Sequence, residues 1–339
     1  MPPNAVQGWL NHKLKLCSRR FQFKLRRPGR QPITLPLTNL NEITPFHELG
    51  MDIQGNMKHS FFRGLSPSGF HSLHYTEWGE ADNPRVLICA HGLTRCGRDF
   101  DTLAAHLSGQ YRVICPDVVG RGESGWLKNK ADYTYPQYLN DMNALIAHTK
   151  IDTEVGSLHW LGTSMGGIIG MLLAAQPNTP ITRLVLNDVG SFIPKASLER
   201  IGMYVGKSPP FTSLDAAVAA VRAVSPFGPL SDEQWRALTI PLLKEIDGGQ
   251  FEFRYDPGLG EAFSLAPIVD VDLSPYWNVI TCPTLVTRGA DSDLLLKSTY
   301  EAMCAKPNVQ GVEFVGVGHA PMFQDAAQLA AVKDFLRVG

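Results

Sequence analysis

Four short stretches of the chain hold residue types that could carry out acyl chemistry. The first is Gly162-Thr163-Ser164-Met165-Gly166-Gly167, a G-x-S-x-G pattern between an apolar run and a helical run. A serine hydroxyl is a weak nucleophile and works only when held exposed beside a base. A sharp strand-to-helix turn holds it that way, and the helix start aims N–H groups at developing negative charge. The second stretch, His91-Gly92-Leu93-Thr94, follows the apolar run RVLICA. There the amide of Leu93 could join that of Met165 as the two donors of an oxyanion hole. His91 itself reads as a brace for this loop. The third stretch is Gly316-Val317-Gly318-His319-Ala320, which places a histidine in a glycine-rich loop after the last apolar run. The fourth is a set of acids: Asp188 after one run, and Asp291 and Asp293 in Arg288-Gly289-Ala290-Asp291-Ser292-Asp293 after the next. An acid is needed to hold the imidazole's tautomer and stabilise its cation.

These stretches matter only if they meet, and the pattern around them says that they do. Apolar runs at 85–90, 111–115, 157–161, 182–186, 283–287 and 312–315 alternate with helical periods, which predicts a largely parallel sheet covered on both faces. In such sheets chemistry sits beyond the carboxyl ends of the strands, where every stretch above falls. Residues 57–64 and 69–78 read as an antiparallel hairpin ahead of the sheet. The alternation stops at Asp188 and resumes at Pro283. Residues 190–280, rich in helix-like pieces and prolines and without a convincing buried strand, therefore read as an insertion between two strands.

Taken together, HGLTRCGRDF at 91–100, PDVVGRGES at 116–124, GTSMGG at 162–167, LNDVG at 186–190, RGADSDLL at 288–295 and GVGHAP at 316–321 resemble the α/β-hydrolase family from about Met57 onward. The resemblance implies an α/β-hydrolase fold: an eight-stranded, mostly parallel sheet, helices on both faces and a helical cap insertion. It divides the chain into a basic extension at 1–56, a core at 57–189 and 281–339, and a cap at 190–280. It makes Ser164 the nucleophile, His319 the base, and Leu93 and Met165 the oxyanion donors. The family's usual acid lies three residues after the glycine of G-x-x-D, but here that slot holds Ser292. Asp293, one position beyond it, is the expected acid, with Asp188 its serious rival and Asp291 a third candidate. A serine nucleophile disfavours the dehalogenase and epoxide hydrolase branches, which use an aspartate.

The expected activity is that of a serine hydrolase cleaving a small or medium carboxylic ester, lactone or thioester through an acyl-enzyme, without cofactor or metal. The same triad would also serve amide or carbon–carbon bond hydrolysis, or acyl transfer. A ligand-binding receptor on a hydrolase scaffold is the alternative of another class. The expected partner is a small-molecule ester. Phe192, Tyr204, Phe211, Phe227, Trp235, Phe251 and Phe253 suggest an apolar pocket, although most of them are expected to glue the insertion to the sheet.

Composition sets the outer limits. The 339 residues are 44% hydrophobic and 19% charged, which excludes a disordered chain. Residues 1–41 hold eight basic side chains and no acid, which leaves 23 basic against 32 acidic residues in the rest. An acidic body argues against nucleic-acid binding. The basic arm reads as a solvated extension, with organelle targeting left open. No apolar run is long enough for an integral membrane segment. Six cysteines without metal-ligand spacing fit a reducing compartment, hence the cytoplasm.

Overall fold

The computed structural model describes residues 33–35, 57–151, 157–207, 209–265 and 267–337. Its thirteen strands are β1 (Ile33–Leu35), β2 (Lys58–Ser66), β3 (Gly69–Trp78), β4 (Arg85–Ala90), β5 (Arg112–Pro116), β6 (Ser157–Thr163), β7 (Ile181–Asn187), β8 (Phe192–Ile193), β9 (Leu243–Ile246), β10 (Gln250–Phe253), β11 (Val271–Asp272), β12 (Thr284–Gly289) and β13 (Val309–Phe314). Nine of them form one sheet in the order β1-β13-β12-β7-β6-β4-β5-β3-β2. The β2–β3 hairpin and the β3–β5 pair are antiparallel, and the remaining neighbours run parallel.

The eight strands from β2 to β7 together with β12 and β13 are those the sequence pattern predicts. The ninth, β1, falls in what reads from sequence as an unstructured extension. It pairs parallel with β13, Ile33 to Val312 and Leu35 to Phe314. A three-residue edge strand carries too little periodicity to stand out in a sequence. Cys17 and the basic side chains at 13–30 lie outside the described residues.

The central strands are buried on both faces. Val86 to Ala90 of β4 and Leu158 to Leu161 of β6 are at most 4% exposed, so each apolar run has helices above and below it. The helices that cover the sheet include α1 (Asp101–Leu107), α2 (Tyr135–His148) and α3 (Met165–Ala174). α3 has no polar face: every residue from Met165 to Leu172 is buried. Its sequence MGGIIGMLLA therefore reads as a continuous apolar segment rather than an amphipathic one.

Between β7 and β12 the chain leaves the main sheet. It forms α4 (Lys195–Gly202), α5 (Leu214–Val224), α6 (Asp232–Thr239), α7 (Gly258–Ser264) and α8 (Ser274–Trp277). It also forms two small ribbons, β8 with β11 and β9 with β10. These ribbons are two to four residues long with alternating or polar sequences such as LKEI and QFEF, so they lack the buried runs by which a sequence announces a sheet strand. Val221, Phe227, Trp235 and Leu238 cluster with Met322 of the core, which fixes part of this segment against the sheet edge. The chain then closes with α9 (Lys297–Cys304) and α10 (Ala326–Arg337).

One buried ion pair shapes the carboxyl edge. Arg288 of β12 faces Glu313 of β13 in register, and its Nη1 donates to Glu313 Oε2 at 2.5 Å. The same guanidinium donates to the carbonyls of Leu295, Ala290 and Ser292, so it staples the loop after β12 into shape. Arg288→Met would leave the Glu313 carboxylate buried and unpaired. It should cost about 3–5 kcal/mol of stability, read as a lower midpoint in urea denaturation.

Candidate active site

Ser164 stands at the turn from β6 to α3 with φ 51° and ψ −116°. This left-handed backbone costs a non-glycine residue on the order of 1–3 kcal/mol and persists only where the surroundings enforce it. The flanking glycines are part of that enforcement. A Cβ on Gly166 would lie 2.0 Å from the Ala90 carbonyl oxygen, and one on Gly162 would lie 2.2 Å from the Gly166 backbone. Only bare backbone fits where β4, β6 and the start of α3 converge. Trp160 adds a tie, its Nε1 donating to the Gly166 carbonyl at 3.0 Å.

His319 lies in the loop after β13, with its side chain 16% exposed. Its Nδ1 donates to Asp188 Oδ2 at 2.7 Å. Asp188 follows β7 and is fully buried. Its Oδ1 accepts from the Gly289 amide at 2.9 Å, and its Oδ2 also accepts from Ser292 Oγ at 2.5 Å. The acid on the histidine is therefore Asp188, which corrects the expectation of Asp293. The Asp293 side chain is 49% exposed and forms a bidentate pair with Arg200 of α4, at 2.6 and 2.9 Å. Asp291 is exposed as well. The physical reason is the short path of the loop after β12. Arg288 and the Asp291 amide hold it close to the sheet, so Ser292 points inward and its two neighbours point out. The slot that could have carried an acid instead hands a hydroxyl to the acid on the neighbouring strand.

Ser164, Thr163, Leu93 and His319 all line one cavity of about 320 Å³. Among the described residues no hydrogen bond joins the Ser164 hydroxyl to His319. Catalytic contacts of this kind are often long before substrate binds. The amides of Leu93 and Met165 are likewise free of hydrogen-bonded partners among the described residues, as donors reserved for a ligand would be. The rest of the wall is largely apolar: Ile201, Phe211, Val221, Phe227, Leu242 and Phe253 face it. Of the seven aromatics singled out from sequence, Tyr204, Phe211, Phe227 and Phe253 line the cavity, while Trp235 is buried in the adjoining cluster.

Two residues fix the Leu93 loop. His91 is fully buried. Its Nδ1 donates to the Gly92 carbonyl at 2.7 Å, and its Nε2 accepts from the Val118 amide at 2.9 Å. Burial lowers its pKa, which suits a neutral brace. Arg121 is the residue that sequence reasoning missed. It is fully buried, and its guanidinium donates to the carbonyls of Leu93 and Val119 and contacts Met165 Sδ at 3.4 Å. It thus touches both Leu93, which lines the cavity, and Met165, which follows Ser164. The one signal in the sequence was an arginine inside the PDVVGRGES stretch, but nothing local shows that its partners lie 28 and 44 residues away. Asp117 in the same stretch accepts from the amides of Gly97 and Glu123 and from His74 Nδ1, so it organises the loop without reaching the cavity.

A larger cavity of about 650 Å³ is lined by His59, His74, Asp101, Asp117 and Arg254, with none of the sequence-predicted site residues in its wall. Burial pushes the Asp101 carboxyl there up to about 6. Among the described residues no group of three or more His, Cys, Asp or Glu side chains could hold a metal ion. No helix among them is long and apolar enough to cross a membrane.

Comparison with known proteins matches residues 87–332 to the model of the alpha/beta hydrolase family. A 3-hydroxybutyrate-oligomer hydrolase of Cupriavidus necator is 45% identical over 285 residues, covering 81% of this chain and 96% of that protein. A putative hydrolase from Rickettsia typhi superimposes with a TM-score of 0.76 at 32% identity, over 83% of this chain and 98% of that one. An alpha/beta hydrolase from Novosphingobium aromaticivorans gives 0.74 at 34% identity, with the same coverage.

The acid assignment is open to a direct check. Asp188→Asn should lower kcat for an ester by about 10⁴, as loss of the orienting acid does in other triads. Asp293→Asn should cost far less. Parallel kinetics on the two purified variants decide it, and an inactive Asp293→Asn beside an active Asp188→Asn would return the role to Asp293.

Proposed function

Because the chain belongs to the α/β-hydrolase family, we propose that it is a serine hydrolase that cleaves carboxylic esters of hydroxy acids through an acyl-enzyme. The observation that carries this reading is one largely apolar cavity lined by Ser164, His319 and Leu93, with Asp188 holding the His319 imidazole from behind. Activity as a hydrolase agrees with the relatives. The substrate class is suggested by the 3-hydroxybutyrate-oligomer hydrolase, whose length the match spans almost completely.

The steps follow from the geometry. His319 Nδ1–H donates a hydrogen bond to Asp188 and keeps its proton, so Nε2 carries the lone pair and is the base. As Nε2 takes the hydroxyl proton, Ser164 Oγ bonds to the ester carbonyl carbon. The carbonyl oxygen gains negative charge and settles on the Leu93 and Met165 amides. Two such preorganised donors lower the barrier by several kcal/mol. The carbonyl re-forms, the ester C–O bond breaks, and His319 gives its proton to the departing alcohol. Water deprotonated by the same Nε2 then attacks the acyl-enzyme. The carboxylic acid leaves, and the proton returns to Ser164. Residues 190–280 act as the cap, and their apolar side chains hold the hydrocarbon part of the substrate while excluding bulk water.

Ser164→Ala should lower turnover of p-nitrophenyl butyrate by about 10⁴–10⁶, since nucleophile and base act as a unit. Circular dichroism and the thermal midpoint should stay close to those of the parent. A serine-directed fluorophosphonate should label Ser164 in the parent chain, as mass spectrometry of its peptides would show. Turnover retained by the alanine variant, or label on another residue, would contradict the mechanism.

A further inference from the structure

The cavity wall is not uniformly apolar. Arg200 lies on α4, and Tyr204 and Lys207 follow it at intervals of four and three residues, and all three line the cavity. Spacing of this kind puts side chains on one side of the chain where it runs helically. Among the described residues four charged side chains line the cavity: Arg95, Arg200, Lys207 and Asp99. Arg95 is offset by Asp99 through a bidentate contact at 2.5 and 2.8 Å. Arg200 is offset by Asp293, which stands outside the wall and holds the guanidinium in one orientation. Lys207 has no acidic partner among the described residues. Its Nζ donates to the Gly202 carbonyl at 2.8 Å, which leaves two of its three donor positions for a ligand.

An ammonium without an acidic partner among the described residues and an oriented guanidinium in the same cavity wall favour a negative group on the ligand. An ester has one only if its acyl or alcohol part carries a second ionised function. We infer that Lys207, seconded by Arg200, binds the free terminal carboxylate of the substrate. The substrate class is then a short hydroxy-acid ester with an uncapped acid end, the carboxylate lying on the leaving-alcohol side of the scissile bond. This rests on the reading of Ser164 as the nucleophile of an ester hydrolase, and it adds which end of the oligomer the site reads. It also gives Asp293 a physical role other than the one its sequence position suggests. Its carboxylate pre-orients Arg200, and a guanidinium already fixed loses less freedom when it meets a carboxylate.

The contact lies at an exposed mouth, so its strength should depend on salt. The probes are the linear dimer of 3-hydroxybutyrate as the free acid, its methyl ester, and p-nitrophenyl butyrate. The parent enzyme should show kcat/KM for the acid at least about tenfold above that for the methyl ester at low salt, with the ratio shrinking as sodium chloride is raised. Lys207→Met should lower that ratio by about tenfold, and Lys207→Glu should invert it. A parent enzyme that cleaves p-nitrophenyl butyrate but does not distinguish acid from methyl ester overturns the inference and leaves the serine hydrolase reading standing. Calorimetry makes the test independent of turnover. The Ser164→Ala variant should bind the free-acid dimer more tightly than its methyl ester, and Ser164→Ala with Lys207→Met should lose that difference. Equal affinities in the first of these variants, or an unchanged difference in the second, also overturn it.

Discussion

A carboxylate removed from water must be surrounded by donors, and Asp188 shows how much structure that requirement recruits. It is wholly buried, and its oxygens are met by the Gly289 amide, the Ser292 hydroxyl and the His319 imidazole. Those donors come from the end of β12 and from the loops after β12 and β13, whereas the acid itself follows β7. Since β7, β12 and β13 are consecutive neighbours in the sheet, one buried charge ties three strand ends together. Breaking one contact would leave part of the charge unsatisfied, which is costly in a low-dielectric interior. The geometry of His319 is thereby inherited from the order of the strands. The Arg288–Glu313 pair makes the loop between them hold its course.

The other half of the site depends on two buried side chains, His91 and Arg121, rather than on a buried carboxylate. The Leu93 loop has no regular structure of its own to hold it. His91 ties it to the loop after β5 by accepting from the Val118 amide, and Arg121 ties it from the same loop by donating to the Leu93 carbonyl. Arg121 is unusual in having carbonyls, a phenol and a thioether as its partners, with no carboxylate among them. Its buried guanidinium therefore sits against Leu93 and Met165 without a hydrogen-bonded carboxylate among the described residues.

The segment between β7 and β12 is where the chain departs from regular alternation, and its contacts are correspondingly mixed. It is held to the core by apolar packing at Met322 and by polar ties, among them Lys130 and Tyr133 on Asp256 and Arg254 on Glu123. Most of the lining that could tell one substrate from another comes from this segment. Its apolar side chains are generic, and the charged lining that it supplies is Arg200 and Lys207.

What the amino-acid order determined by itself was everything that depends on neighbours in the chain. Short apolar runs such as RVLICA, set between turn signals, fit a doubly buried strand. Gly162-Thr163-Ser164-Met165-Gly166 admits a tight turn from strand to helix because bulkier residues would strike the adjoining backbone. The parallel sheet, the turn that holds Ser164 and the loop that carries His319 were legible for that reason. Tertiary structure alone decided which acid meets His319. Asp188, Asp291 and Asp293 all follow strands at the same edge, and which one points inward depends on how Arg288 bends a loop against Glu313 on the next strand. The same holds for Arg121, whose partners are distant in sequence, and for β1, which exists only because β13 offers it an edge. Local pattern reports what a segment can become, but the choice among chemically equal side chains is made by burial and pairing across strands that the sequence does not place side by side.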